Sequence, residues 1–299
     1  MSMFPTKILA AVDGSESARR AATVAARLAK ATGRELHVAT VGFVPAMYPY
    51  RDLGAAEWNE QARREAGELL REEVEKLRNQ GLADEAETHI RLGAEIHEIV
   101  DLAEEIGAGL IVVGSRGLGP LKRVLIGSVS LGVVRHAHCP VLVVRPGARE
   151  ERVFSGGEIL AAVDGSEAAA AASRVAAEVA GATGSKLHVA CALPLDPQLP
   201  YTHPLVGERF EWSLEREKDE VRKFVEERAK ELAEAEGVEA EAHLLLGRPD
   251  HEIVGFAEEI GADLIVVGSR GLKGLRRALV GSVSDSVVRH AHCSVLVVR

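Results

Sequence analysis

The sequence predicts an α/β protein made of two tandem copies of one doubly wound, open, parallel five-stranded sheet with helices on both faces. Three observations carry that expectation. Short apolar runs alternate with stretches of helical periodicity, the pattern of a parallel sheet covered on both sides. The chain repeats itself: Ile8-Leu9-Ala10-Ala11-Val12-Asp13-Gly14-Ser15-Glu16 returns 151 residues later as Ile159 to Glu167, and residues 107–145 match 261–299 at 30 of 39 positions. The length, 299 residues, suits two domains of about 150 each, long enough to bury a core alone.

Within the first copy the elements follow in order. Lys7 to Val12 is a buried strand, and Ser17 to Ala31 an Ala-rich helix whose capping groups lie in Asp13 to Ser17. Leu36 to Val41 is the second strand. Glu57 to Gln80 is a long helix dense in Glu and Arg, so one face is solvated. Ala86 to Leu92 is a strand, Ile96 to Ile106 a helix, Leu110 to Val113 a strand, Ser128 to His136 a helix, and Val141 to Val144 the last strand. The repeat offset grows from 151 to 154, so the second copy gains three residues, expected in a loop. Domains are expected at 1–146 and 158–299, with the polar 147–157 as linker.

Composition narrows the function. The net charge of −9 leaves no basic excess for a nucleic-acid backbone, so no nucleic-acid partner is expected. No apolar run approaches the ~20 residues of a membrane span, the start lacks a signal-peptide core, and three cysteines give no disulfide framework. A cytoplasmic protein without a membrane partner is expected.

Ligands of doubly wound sheets bind at the carboxyl ends of strands where the strand order reverses. This brings Asp13 to Ser15, after the first strand, beside Gly114 onward, after the fourth. There Gly114-Ser115-Arg116-Gly117 is followed by nine residues and Gly127-Ser128-Val129-Ser130; the second copy has Gly268-Ser269-Arg270-Gly271, nine residues, and Gly281-Ser282-Val283-Ser284. Glycines let backbone N–H groups approach an anion, a helix N-terminus adds unpaired N–H groups, and Ser128 and Ser130 offer hydroxyl donors. Lys122, Arg123, Arg276 and Arg277 add positive charge. Caps and tight turns account for such residues in many proteins; the duplication at equal spacing favours phosphate binding.

The pattern Gly-x2-Gly-x9-Gly-Ser, with Val12-Asp13-Gly14-Ser15, the His37-Val38 read at the second strand's end, and the closing Pro140 to Val144, resembles the ATP-binding signature of the universal stress protein family, whose fold is Rossmann-like. The resemblance covers both halves. It implies an adenine nucleotide (ATP, or ADP or AMP) in each, in a stress-response regulatory protein. Asp13 and Asp164 would lie near the ribose or a phosphate-bound Mg, over small Ala11 and Ala162. Val38 and Val189 would offer backbone groups to adenine, and Gly93 and Gly247 would border the base. Gly114, Arg116, Gly117, Gly127, Ser128, Val129 and Ser130 would hold ribose and phosphates, as would Gly268, Arg270, Gly271, Gly281, Ser282, Val283 and Ser284. The resemblance also implies that the halves pair as an internal pseudo-dimer through their apolar last strands, with further dimerisation of chains open. The second copy has the usual Gly247-Arg248-Pro249, whereas the first departs with Gly93-Ala94-Glu95.

Three readings compete: a regulatory nucleotide binder, a slow hydrolase or transferase at the nucleotide phosphates, and a scaffold whose loops are structural. Asp13 is either a helix N-cap or a nucleotide contact. No catalytic residue is assigned, because neither Gly-Ser loop contains an acidic residue or histidine to act as base. His136-Ala137-His138-Cys139, repeated from His290, reads as a helix-terminal histidine favoured by the dipole rather than a metal site. Tyr48, Tyr50, Trp58, Tyr201 and Trp212 are expected over or below the sites.

Overall fold

The computed structural model describes residues 7–43, 55–117, 126–145, 156–195, 207–271 and 280–299, with backbone alone at 55–56 and 207–213. The chain divides into two compact units, Phe4–Gly147 and, for the most part, Ala148–Arg299. In the first, β1 (Lys7–Ala11), α1 (Glu16–Thr32), β2 (Glu35–Gly42), α2 (Ala55–Asn79), β3 (Glu87–Leu92), α3 (Glu95–Ile106), β4 (Leu110–Gly114), α4 (Ser128–His136) and β5 (Val141–Val144) alternate along the chain. The second repeats them as β6 (Glu158–Ala162), α5 (Glu167–Thr183), β7 (Lys186–Leu193), α6 (Gly207–Glu236), β8 (Ala240–Leu246), α7 (Pro249–Glu259), β9 (Leu264–Gly268), α8 (Ser282–His290) and β10 (Ser294–Val298).

Every pairing within a unit is parallel, in the order β3-β2-β1-β4-β5 and likewise β8-β7-β6-β9-β10. Strand order reverses between β1 and β4, and between β6 and β9. α1 packs with α2 on one face while α3 packs with α4 on the other. That double cover explains why β4, Leu-Ile-Val-Val-Gly, is buried throughout. Alanines at 18, 21, 22, 25, 26 and 29 form the buried stripe of α1 and let the helix lie close to the sheet.

Local chemistry fixes the helix that begins beside the switch point. Ser15 is the N-cap of α1, its Oγ accepting from Ala18 N–H at 3.1 Å, and Gly33 closes the helix in a left-handed conformation. Asp13 is therefore not the cap; its Oδ1 accepts from Ser15 N–H at 3.0 Å and shapes the turn ahead of it. The second copy's net gain of three residues is taken up in helix rather than loop: α6 has 30 residues where α2 has 25, and the turn to the next strand shortens from 80–86 to 237–239. β2 also runs on to Gly42, so His37 and Val38 lie early in the strand and not at its end. The three cysteines are buried thiols outside any disulfide. Among the described residues no helix is long and apolar enough to cross a membrane.

Candidate functional site

The carboxyl ends of β1 and β4 open into a cleft of about 780 Å³, within the range of small-molecule sites. Of the residues expected there in the first unit, Ala11, Asp13, Gly114, Arg116, Gly117, Gly127, Ser128, Val129 and Ser130 all line it. Val38 and Gly93 do not. Val38 is fully buried in mid-strand, paired with Ala10 and Thr88, and the β2 wall is formed instead by the stretch from Ala39 to Phe43. Gly93 lies at the turn after β3, where its N–H donates to the Gly42 carbonyl at 3.2 Å. Val189 and Gly247 occupy the same places in the second unit, buried in β7 and bonded to the Leu193 carbonyl at 3.1 Å.

The cradle is held by backbone. A Cβ on Gly114 would come 2.5 Å from the Ser17 carbonyl carbon and 2.7 Å from Ala18 N; on Gly268 it would come 2.7 Å from the matching carbon of Ala168. Only glycine lets the end of β4 or β9 approach the first helix this closely. A Cβ on Gly117 would meet Asp13 Oδ2 at 2.6 Å, and one on Gly271 would meet Asp164 Oδ2. The second carboxylate oxygen of each Asp therefore faces its glycine turn.

The loop is tied to the helix start as well. Ser15 Oγ lies 3.3 Å from the Arg116 carbonyl, and Arg116 N–H donates to Ser17 Oγ at 3.3 Å. Gly127 N–H donates to the Ser115 carbonyl at 2.7 Å, and Gly281 N–H to Ser269 at 2.7 Å. Ser130 Oγ–H donates to the Gly114 carbonyl at 2.6 Å, and Ser284 to Gly268 at 2.6 Å. These two hydroxyl protons are committed inside the protein, so of the two serines in each helix start exposed Ser128 and Ser282 are the ones whose hydroxyls are left to face a ligand. In the second unit Ala162 ends β6, and Ser166, the N-cap of α5, donates to Asp164 Oδ1 at 2.6 Å. Arg270 and Gly271 follow β9, and Ser282 and Val283 open α8 behind Gly281.

Several lining residues were not anticipated. Gln61, Glu65 and Leu69 come from α2, beside the expected Trp58, and Glu95 and Ile99 from α3. The α2 set recurs every three or four residues, a helical stripe that the Glu and Arg around it obscured. In the second unit, burial and then the Asp164 carboxylate push the Cys191 thiol up to about 11. Thr40 holds the equivalent place in the first cleft. His136 Nδ1 bonds to the Gly132 carbonyl at 2.8 Å, an ordinary helix-end contact. Tyr48, Tyr50, Tyr201, Lys122, Arg123, Arg276, Arg277, most of the linker and the Trp212 side chain lie outside the described residues.

A duplicated doubly wound α/β protein, with a glycine-serine turn closing on an aspartate at each switch point, is the class these features define. The model of the universal stress protein family matches residues 5–145 and again 157–299, and the chain belongs to that family. Among its relatives, universal stress protein YxiE of Bacillus subtilis is 38% identical over 147 residues, 46% of this chain and 98% of the relative. Universal stress protein MJ0531 of Methanocaldococcus jannaschii is 35% identical over 142 residues, 48% of this chain and 81% of the relative. The crystal structure of a universal stress protein from Archaeoglobus fulgidus matches 98% of both chains at 25% identity with a TM-score of 0.70.

Proposed function

We propose that each domain, taken as 1–146 and 158–299, binds one adenine nucleotide, ATP or its di- or monophosphate, in a regulatory protein of the stress response. The observation that carries this reading is the two-sided cleft. One side is apolar, with Ala11, Ala39, Val41, Leu69 and Ile126 available to a flat base. The other collects the first turn of α4, the glycine turn at Gly117 and the Asp13 carboxylate. Phosphates suit a helix N-terminus approached through glycine. Mg is held by one or two carboxylates together with substrate phosphates, and Asp13 and Asp164 each offer one oxygen on that side. The metal would neutralise phosphate charge; the chain's own donors would hold the oxygens.

Binding rather than turnover is the preferred role. Backbone donors and hydroxyls hold phosphate equally before and during attack, which lowers a dissociation constant without lowering a barrier. Slow hydrolysis is the second reading, favoured in the first domain by Glu65 and Glu95 on the cleft wall. Calorimetry with ATP and Mg should give two sites per chain. Gly117→Asp should remove one and Gly271→Asp the other, since each places a carboxylate against Asp13 or Asp164. A single site indifferent to both changes would sink the reading. Phosphate counted in the same samples should appear far below the ~10 per second typical of dedicated enzymes; multiple turnovers per second would make the protein an enzyme.

A further inference from the structure

A second repeated cluster lies near the other end of the strands. β2 carries His37 two residues after its start, and β3 carries Glu87 and His89, with His37 in register with Glu87. At ~3.3 Å per residue, His37 is roughly 16 Å along the strand from Gly42 at the cleft. His37 Nδ1 is 2.9 Å from His89 Nε2 and 3.5 Å from Glu87 Oε2. The second unit repeats the group with His188, Glu241 and His243. There the three facing atoms form a triangle of 3.0, 3.6 and 3.8 Å.

We propose that each cluster is a divalent transition-metal site, best suited to zinc, held by His37, Glu87 and His89 in the first domain and by His188, Glu241 and His243 in the second. Zinc bonds of about 2.0–2.2 Å at the tetrahedral angle separate neighbouring ligand atoms by roughly 3.3–3.5 Å. The three edges of the second triangle, and the two from His37 Nδ1 in the first, meet that spacing after shifts of a few tenths of an ångström, and all three atoms of the first lie within 4.8 Å of one another. Two imidazoles and a carboxylate are a donor set for zinc and its neighbours, not for Mg or Ca, which favour oxygen throughout. A neutral imidazole pair sharing one hydrogen bond accounts for the 2.9 Å contact alone. It does not account for a carboxylate aimed at the same pair in both copies.

The surroundings fit as well. A metal-bound histidine usually gives its other ring N–H to a carboxylate. His188 Nε2 lies 2.6 Å from Glu158 Oε2, and His37 Nε2 lies 3.5 Å from Glu35 Oε2. Lys186 donates to Glu241 Oε1 at 2.5 Å, leaving Oε2 turned toward the histidines. Side-chain exposures of 65% at Glu87 and 45% at Glu241 leave a path for the ion and room for water as fourth ligand. The closer carboxylate behind His188 makes the second site the tighter one.

The test uses the full-length, tag-free chain, stripped with a chelator and titrated with zinc chloride in the absence of nucleotide. Calorimetry and elemental analysis should find two zinc ions per chain, and cobalt should show the visible bands of tetrahedral coordination. Glu87→Gln and Glu241→Gln, at exposed positions where folding is not at stake, should each weaken one site at least tenfold. His89→Ala with His243→Ala should abolish both. Glu158→Gln should weaken the second site about 10–100-fold and leave the first unchanged. No zinc taken up by the stripped protein would overturn the proposal. So would two zinc ions whose affinity none of these substitutions moves, because the metal would then sit elsewhere.

Discussion

The two halves agree most closely where the chain turns around the cleft and least where polar side chains brace the outside. The bonds from Ser130 to Gly114 and from Ser284 to Gly268 have one length, 2.6 Å, and those from Gly127 to Ser115 and Gly281 to Ser269 another, 2.7 Å. The bracing, by contrast, has changed hands. In the first half Arg19 of α1 reaches Glu73 of α2 at 3.1 Å; in the second, Arg228 of α6 reaches back to Ser173 and the Ala170 carbonyl of α5 at 2.8 Å each. Lys7 on β1 pairs with Glu35 on β2, whereas β6 carries Glu158 and β7 carries Lys186, so the signs are exchanged. Surface and half-buried pairs contribute little and are replaceable as long as some partner remains. A backbone-to-backbone contact has no substitute, so both copies need glycine.

The largest expected effect tests that contrast directly. Gly114→Ala and Gly268→Ala each force a Cβ into the main chain of the neighbouring helix start. Each should cost its own domain about 3 kcal/mol, the upper range for overpacking. Urea denaturation followed domain by domain should find the two losses equal; a loss confined to one half would show that the cradles differ in kind.

Next in size is the thiol. With its pKa at about 11, Cys191 should alkylate at pH 8 about 100-fold more slowly than free cysteine. Below that pKa the protonated, unreactive form dominates, so the rate should rise about tenfold per pH unit up to it. Thr40→Cys should be equally sluggish if Asp13 faces its strand as Asp164 does, which peptide mapping of the alkylated protein can read. A fast-reacting residue 40 would mean that the two positions differ in burial, the larger cause of the shift at Cys191, or in the carboxylate they face.

The smallest effect concerns a wall of the cleft at which the copies carry different residues. Glu95 lines the first cleft, while Pro249 begins α7 at the equivalent place. Removing that charge by Glu95→Ala should tighten the first site for ATP about fivefold, a change of ~1 kcal/mol. Unchanged calorimetry would mean that the carboxylate points away from the phosphates.

The repeat and the alternation made the fold legible, because strand and helix periods survive in any copy of the pattern. The glycine-serine turn was legible too, its spacing being local to one loop. The β2 wall was not: the length of a buried strand is set by its neighbours, and nothing in His37-Val38-Ala39-Thr40 marks where pairing with β3 stops. Trp58 apart, the α2 and α3 contributions were hidden for a related reason, since polar Gln61, Glu65 and Glu95 stand among the residues these helices turn toward the cleft. The His-Glu-His cluster was hidden more deeply. Its members are about 50 residues apart in sequence, on strands whose register only the folded sheet reveals.

The committed protons of Ser130 and Ser284 carry a consequence for timing. Each hydroxyl clasps the carbonyl at the end of the strand beside it, so the first turn of α4 or α8 is anchored before anything arrives. A guest reaching this wall meets donors already aimed, with no internal bond to break first. For the phosphate proposed above, encounter is then governed by diffusion and residence by how strongly the aimed amides hold it.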